Sequence, residues 1–253
     1  MSKKRHLPDG PVWVRTHPVT YLHDRREAHR HDWHQLTYAL RGQLELVTAD
    51  ARRVVPADRA VWVPAGTAHV EVIRAPLSMR SLYVAPGALP AAPPLRTVEV
   101  APLLREVILH VTRLGALDRR RPSEGRLALV LFDLIAAAPD VALELPLPRD
   151  PRARAFAELV ADGPGDVASI AQLARRAGAS VRTLERLFLA ETGVAVGVWR
   201  RRMRLFHALR LLEAGRPVTA VALEVGYATT SAFTAAFTRA FGRTPTGRRR
   251  DAR

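Results

Sequence analysis

The stretch SIAQLARRAGASVRTLERLFLAETG, residues 169–193, predicts a short helix, a tight turn and a second helix. Gly178 permits the positive φ that such a turn needs, and the small Ala174 allows the two helices to pack closely. Ser180 can cap the second helix, because its hydroxyl can accept a hydrogen bond from a backbone N–H group of the first turn. The inward face of that helix is expected to consist of apolar residues at helical spacing, namely Leu184, Leu187 and Phe188. This arrangement predicts a helix-turn-helix unit.

A second stretch, VTAVALEVGYATTSAFTAAFTRAFG at residues 218–242, repeats this plan. Gly226 takes the place of Gly178, and the turn is one residue longer. Aromatic residues recur at every fourth position, which predicts one buried helical face made of Phe233, Phe237 and Phe241. Between the two units, residues 196–215 predict a basic amphipathic helix that would span roughly 25–30 Å. That length approaches the ~34 Å between successive major-groove faces of DNA.

The positive charge of the chain is concentrated at its C-terminal end. The formal net charge is +15, and residues 149–253 hold 19 Arg against 9 acidic residues. Residues 1–148 hold 20 Lys and Arg against 15 acidic residues, so the C-terminal part has about three times their charge density. Double-stranded DNA is the expected partner, because neutralising its phosphates releases counterions.

The N-terminal half predicts a small antiparallel β-barrel followed by two helices. Short apolar or alternating runs indicate strands at residues 36–40, 43–49, 60–65, 69–74 and 79–85. A Pro- and Ala-rich stretch at 86–94 indicates a linker, and helical spacing predicts a hairpin of helices at 98–114 and 124–138. The inner face of the first helix is expected to contain Leu103, Val107, Ile108, Val111 and Leu114. A second Pro-rich stretch at 146–151 marks the expected domain boundary.

Composition excludes several other classes of protein. There is no run of about 18 apolar residues and no apolar segment behind the basic N-terminus, so we expect a soluble cytoplasmic protein without membrane contact. Cysteine is absent, which excludes disulfides, thiolate metal sites and cysteine nucleophiles. The nine histidines are the remaining soft metal ligands.

Residues 150–250 resemble the AraC/XylS family of bacterial regulators, most clearly in GYATTSAFTAAFTRAFGRTP at 226–245. The resemblance implies that both second helices enter adjacent major grooves on one face of DNA. By position it implies that DNA is contacted by Arg182, Glu185 and Arg186 in the first unit and by Thr230, Ser231 and Thr234 in the second. Arg200 and Arg204 of the basic connecting helix are the other DNA-binding candidates. Ala235 stands where some members have Arg, so we expect the second unit to discriminate less between sequences. The alternative is that these residues form ordinary solvated helix faces.

Residues 29–42, HRHDWHQLTYALRG, and residues 64–69, PAGTAH, resemble the two cupin motifs. In metal-binding cupins these motifs supply three His and one Glu to a divalent metal. By position the ligand candidates are His29, His31, Gln35 and His69, with Gln35 in place of the Glu. Three imidazoles suit Zn, Ni, Cu or Fe. The alternative is a motif that persists as barrel core or contacts an organic effector, with Trp33, Trp62 and Tyr83 as candidate lining residues.

The sequence therefore predicts an α+β multidomain protein with three parts. Residues 1–95 form a cupin-like sensor domain, residues 96–148 a helical hairpin that is a candidate dimerisation linker, and residues 149–253 an AraC-type DNA-binding domain. The expected function is a non-enzymatic, homodimeric, sequence-specific transcription regulator, which a small ligand or a metal in the barrel controls. RNA polymerase is a candidate partner. Two alternatives are a cupin-type metalloenzyme with a DNA-binding appendage and a nonspecific architectural DNA binder.

Overall fold

The computed structural model describes residues 12–21, 24–25, 27–89, 91–163 and 168–247. These residues form two compact units. The first unit ends at Leu143, and the second begins at Glu144 and also includes Ala49–Arg52. Among the described residues, no helix is long and apolar enough to cross a membrane.

Two antiparallel sheets build the first unit. The strands are β1 (Val12–Tyr21), β2 (Asp24–Arg25), β3 (His34–Arg41), β4 (Leu44–Val47), β5 (Ala51–Val55), β6 (Arg59–Val63), β7 (Val70–Ile73), β8 (Leu77–Val84), β9 (Arg96–Glu99) and β10 (Ala116–Asp118). One sheet has the order β10-β1-β8-β3-β6-β9, and β5-β4-β7-β2 are neighbours in the other. Apolar side chains of both sheets meet in one buried cluster that includes Ala39, Val61 and Met79 from the first and Leu44, Leu46 and Ile73 from the second. The sheets therefore face each other, and the predicted antiparallel sheet domain is confirmed.

Helices α1 (Pro102–Leu114) and α2 (Pro122–Ala137) cover the outer face of the first sheet. On α1 the buried residues are Leu104, Val107, Ile108 and Val111, at the i, i+3, i+4, i+7 spacing of one helical face. Leu103 and Leu114 are 60% and 49% exposed, so their predicted place on the inner face was wrong. The predicted stripe was rotated by one residue, because Leu103 and Leu104 are both apolar and only one of them can face the sheet.

The start of the first predicted helix was also wrong. Residues Arg96–Glu99 form strand β9, which pairs antiparallel with β6, and the helix begins at Pro102. Proline is favourable at the first position of a helix, where its missing N–H group has no intrahelical partner to lose. The Pro-rich stretch before β9 is part of the first unit, and the indole N–H of Trp62 donates to the carbonyl of Pro93 at 3.0 Å.

The second unit is helical after one short strand and contains both predicted helix-turn-helix units. Its elements are β11 (Glu144–Pro146), α3 (Pro151–Asp162), α4 (Ile170–Arg176), α5 (Val181–Thr192), α6 (Val196–Glu213), α7 (Val218–Glu224) and α8 (Thr230–Phe241). The pairs α4–α5 and α7–α8 are the two units, and α6 connects them. Ser180 caps α5 as predicted, accepting a bond from the N–H of Thr183 at 3.1 Å. Thr229 caps α8 in the same way through the N–H of Ala232.

Each helix-turn-helix unit packs around an aromatic cluster. In the first helix-turn-helix unit, Phe188 of α5 lies 5.6 Å from Phe156 and 5.5 Å from Trp199, measured between ring centroids. The indole N–H of Trp199 donates to the carbonyl of Pro146 at 2.7 Å. The predicted phenylalanine stripe of α8 is confirmed for Phe233 and Phe237, which are fully buried, whereas Phe241 is half-buried with its ring centroid 4.5 Å from that of Phe237. These clusters hold the inner faces of α5 and α8, which fixes which side chains face outward.

Candidate nucleic-acid interface and ligand site

The outer face of α5 carries three charged residues that the fold does not use. Arg182, Glu185 and Arg186 have the i, i+3, i+4 spacing of one helical face, and all three are exposed. None of the three forms a hydrogen bond or ion pair with any residue that the structure describes. Buried Leu184 and Phe188 anchor the opposite side of the helix. The arrangement leaves two guanidinium groups and one carboxylate available to a partner.

The outer face of α8 is uncharged in its first two turns. Ser231 is exposed, and Thr230 and Thr234 are half-buried beside exposed Ala235. The three hydroxyl groups have no hydrogen-bond partner among the residues that the structure describes. This face can therefore offer hydroxyl groups and methyl groups, but no charge, to a partner.

The two candidate residues of the connecting helix α6 have partners inside the protein. Arg200 donates through Nη2 to the carbonyl of Ala168 at 2.5 Å. The guanidinium of Arg204 lies over the backbone of Gly226. Both arginines are half-buried, whereas Arg201 and Arg202 between them are exposed. Sequence reasoning left Arg201 and Arg202 out of the candidate site, although the run of three arginines was visible, because it does not show which of them point outward.

In the N-terminal compact unit, the structure brings together three of the predicted metal-ligand residues. We call His29, His31 and His69 the imidazole cluster. Their ring centroids lie 4.4 Å apart for His29 and His69, 5.3 Å for His31 and His69, and 6.4 Å for His29 and His31. His29 and His69 form an antiparallel backbone bridge. Tyr83 of β8 joins the cluster, with its ring 5.5 Å from that of His31.

Backbone carbonyl groups fix the orientation of all three imidazoles. Each Nδ1 atom faces the carbonyl oxygen of a residue two positions away in sequence: Glu27 at 3.0 Å, Trp33 at 2.5 Å and Thr67 at 3.0 Å. A carbonyl can only accept, so each Nδ1 carries a hydrogen. In a neutral imidazole the other nitrogen, Nε2, is then an acceptor.

Gln35 completes the polar group on the inner side of β3. His31 Nε2 and the Gln35 side-chain oxygen lie 2.7 Å apart, and the Gln35 nitrogen is 3.4 Å from both Ser81 Oγ and the Tyr83 hydroxyl. Two acceptors cannot bond, so either His31 is protonated or the amide is turned, because its oxygen and nitrogen are interchangeable by shape. The turned amide donates to His31 and accepts from both hydroxyls, which satisfies every group.

His34 lies apart from this polar group, as its position one residue from Gln35 in a strand predicts. It stacks on Trp62 at 5.3 Å between ring centroids, and its Nδ1 accepts from the N–H of Ala65 at 3.0 Å. Burial lowers the pKa of His34, and the neighbouring His31 contributes less in the same direction. Trp62 packs with the core beneath α1 and α2, so it does not line the interior between the sheets.

The imidazole cluster does not have the geometry of a metal site. Among the residues that the structure describes, no group of three or more His, Cys, Asp or Glu side chains is placed to hold a metal ion. The position that supplies a carboxylate in metal-binding cupins carries the neutral Gln35, which is already bonded to His31. A divalent metal bound by His29, His31, Gln35 and His69 stays a prediction from the resemblance alone. The same groups can bind an organic molecule through hydrogen bonds without rearrangement into a coordination shell.

Comparisons with known protein families match both halves of the chain. Residues 15–130 match the model of the AraC-like ligand binding domain. Residues 173–251 match the model of a helix-turn-helix domain. The first match covers the sheets with the imidazole cluster, and the second covers most of α4 together with α5 to α8.

Relatives over most of the chain and over shorter parts of it are transcriptional regulators. The chain is 34% identical over 217 residues to the HTH-type transcriptional regulator NimR of Escherichia coli, which covers 86% of this chain and 80% of NimR. It is 38% identical over 101 residues to RipA of Corynebacterium glutamicum, which covers 40% of this chain and 30% of RipA. The DNA-binding domain of AdpA, solved with a target DNA, is 31% identical with a TM-score of 0.36, and the match covers 40% of this chain and 92% of that domain. The chain belongs to the AraC family of helix-turn-helix transcription regulators, with an AraC-like ligand-binding domain ahead of its DNA-binding domain.

Proposed function

We propose that this regulator reads a bipartite DNA site, with α5 and α8 in successive major grooves, under the control of a small molecule bound among the sheets of the first unit. The observation that carries the proposal is the outer face of α5. Its three charged residues are exposed and have no partner among the described residues. A folded chain gains little from such a set, whereas the major groove offers complementary donors and acceptors.

The chemistry of the two helices assigns them different tasks. Arg182 and Arg186 suit guanine, whose O6 and N7 accept two hydrogen bonds from one guanidinium, and Glu185 suits the amino group of cytosine. Thr230, Ser231 and Thr234 suit phosphate oxygens and thymine methyl groups, which discriminate less between base pairs. The first helix-turn-helix unit therefore supplies most of the sequence specificity.

Alanine substitutions on α5 test this assignment. Arg182→Ala or Arg186→Ala should weaken binding to the selected site by about 1–3 kcal/mol and relax the preference at one base pair. Binding to random DNA should fall much less. The matched control is Arg41→Ala, which removes an exposed charge from the end of β3 in the N-terminal unit. An equal loss on random and selected DNA would show that the α5 arginines touch only phosphate.

The imidazole cluster and its neighbours are the proposed binding site for the effector. His31, Gln35 and Tyr83 are buried and place hydrogen-bond acceptors and donors side by side, and the interior between the two sheets also contains a cluster of apolar side chains. An organic effector with a polar group and an apolar part fits this combination. Treatment with a chelator should leave DNA binding and its response to effector unchanged. Loss of binding with the chelator, restored by Zn²⁺, would favour the metal instead.

Helices α1 and α2 are the proposed dimer contact. Four large apolar side chains on their outer faces are 45% to 60% exposed: Leu103, Leu114, Leu129 and Val130. Neighbouring apolar surface of this kind is typical of protein–protein contacts. Sedimentation at micromolar concentration should show a dimer, and Leu129→Glu should shift it to monomer. A monomeric native chain would contradict the proposal.

A further inference from the structure

Arg200 and Arg204 lie one turn apart on α6, and each contacts a different helix-turn-helix unit. Residues four apart on a helix share one face, so both side chains leave the same side of the connector. The side chain of Arg200 reaches towards the first unit and that of Arg204 towards the second. The connecting helix α6 therefore contacts both helix-turn-helix units at neighbouring positions.

The first contact holds the beginning of α4. Arg200 donates to the carbonyl of Ala168, which directly precedes Ser169. Ser169 is the N-cap of α4 and forms a capping box with Gln172, in which each side chain accepts from the backbone N–H of the other residue. The guanidinium of Arg200 therefore connects α6 to the backbone at the start of the first helix-turn-helix unit.

The second contact closes over the turn between α7 and α8. A Cβ atom at Gly226 would lie 2.6 Å from Nη2 and 2.9 Å from Cζ of Arg204. The corresponding Gly178 of the first unit has open space around its Cβ position, although φ is positive at both glycines. The neighbouring Tyr227 supports this placement. Burial raises the pKa of its hydroxyl, and the nearby charges of Arg204 and Arg201 oppose that rise.

We propose that Arg200 and Arg204 are positioning residues that set the distance and angle between the two reading helices, and so determine which spacing of DNA half-elements the protein accepts. This inference rests on the proposed bipartite reading. One added base pair shifts the second half-element by about 3.4 Å and turns it by roughly 35°, so a rigid pair of units loses one of its contacts. A connector without its two arginine contacts tolerates several spacings. On α6, the residue that contacts phosphate is then exposed Arg202 rather than Arg200 or Arg204. Arg202 has no partner among the described residues.

The test uses the full chain and a series of duplexes whose two half-elements are separated by the selected spacer, one base pair fewer, and one or two more. Wild-type protein should prefer the selected spacer by at least about tenfold, which corresponds to 1.4 kcal/mol. Arg200→Ala and Arg204→Ala should reduce that preference to about threefold or less, with the dependence of affinity on salt unchanged. Arg202→Ala is the matched control on the same helix. It should keep the spacer preference, and its salt slope should fall by about 1.

Two further variants guard against an unfolded protein. Arg200→Met and Arg204→Met keep much of the side-chain volume, and each should reproduce the loss of spacer preference with a native circular dichroism spectrum, because methionine has no N–H group to donate. Spacer preference that persists in all four variants, or a salt slope that falls by about 1 in them, would overturn the positioning role and leave bipartite reading intact. Wild-type protein that binds every spacer equally would overturn both.

Discussion

Replacing Gly226 with alanine should disturb DNA reading far more than the same replacement at Gly178. The two glycines occupy equivalent turns, with φ of 79° and 69°. Only Gly226 has a side chain above it, since a new Cβ would lie 2.6 Å from Nη2 of Arg204. The pair of variants therefore separates backbone strain, which both share, from displacement of Arg204, which only one causes.

Backbone strain should cost both variants a similar free energy of unfolding. A left-handed conformation costs a residue with a Cβ about 1–2 kcal/mol. At Gly226 the tip of Arg204 must also move by on the order of 1 Å to reach ordinary van der Waals separation. Because the tip of a long side chain can change rotamer for about 0.5–1.5 kcal/mol, the second variant should remain folded.

The assay combines two measurements on the full chain. Hydrogen exchange should show reduced protection of α4–α5 in Gly178→Ala and of α7–α8 in Gly226→Ala, by comparable free energies. Binding to the spacer series should show a native preference in Gly178→Ala and a weakened one in Gly226→Ala. The reasoning that Arg204 sets the spacing would be refuted if Gly226→Ala kept the native spacer preference while hydrogen exchange showed reduced protection of α7–α8.

Three further predictions concern the supports of the reading helices. Ser180→Ala should destabilise α5 by about 1 kcal/mol in hydrogen exchange, and Ser180→Asp should retain most of the protection because a carboxylate also caps. Trp199→Phe should cost about 1–3 kcal/mol in denaturant unfolding, because the half-buried carbonyl of Pro146 loses its donor; a neutral result would mean that water replaces it. Hydrogen bonding from Arg152 lowers the pKa of Asp150, the N-cap of α3, from 3.8 to about 2. This depressed pKa stabilises the start of α3 above pH ~3.8 and the effect is lost as the pH falls towards 2, so Asp150→Asn should flatten that dependence in exchange measurements.

The helix-turn-helix units could be predicted because their signals are local. The spacing of Leu184 and Phe188, the glycine in the turn and the cap at Ser180 all lie within a few residues of one another. Strand β5 was missed because its sequence contains Arg52 and Arg53, which are buried in the structure at 1% and 7% exposure. Burial of charge depends on partners that are distant in sequence, and the pattern of one strand does not show them.

The candidate sites show the same limit. Motif spacing brought His29, His31 and His69 together correctly, but it could not predict that backbone carbonyls orient the rings. From the sequence, Arg200 and Arg204 had the same expected role in DNA contact as Arg182 and Arg186. Their contacts with Ala168 and Gly226 join residues 32 and 22 positions apart, and only the packing of α6 against both units reveals them.

Selection of binding sites from a random duplex pool, with the purified full chain, tests the central claim most directly. The account predicts an enriched motif with two half-elements about one helical turn apart, and stronger base preference in the half-element read by α5. Repeating the selection with Arg182→Ala should relax one position of that half-element. An absence of any enriched motif, with binding that depends steeply on salt, would contradict the account and favour a nonspecific architectural DNA binder.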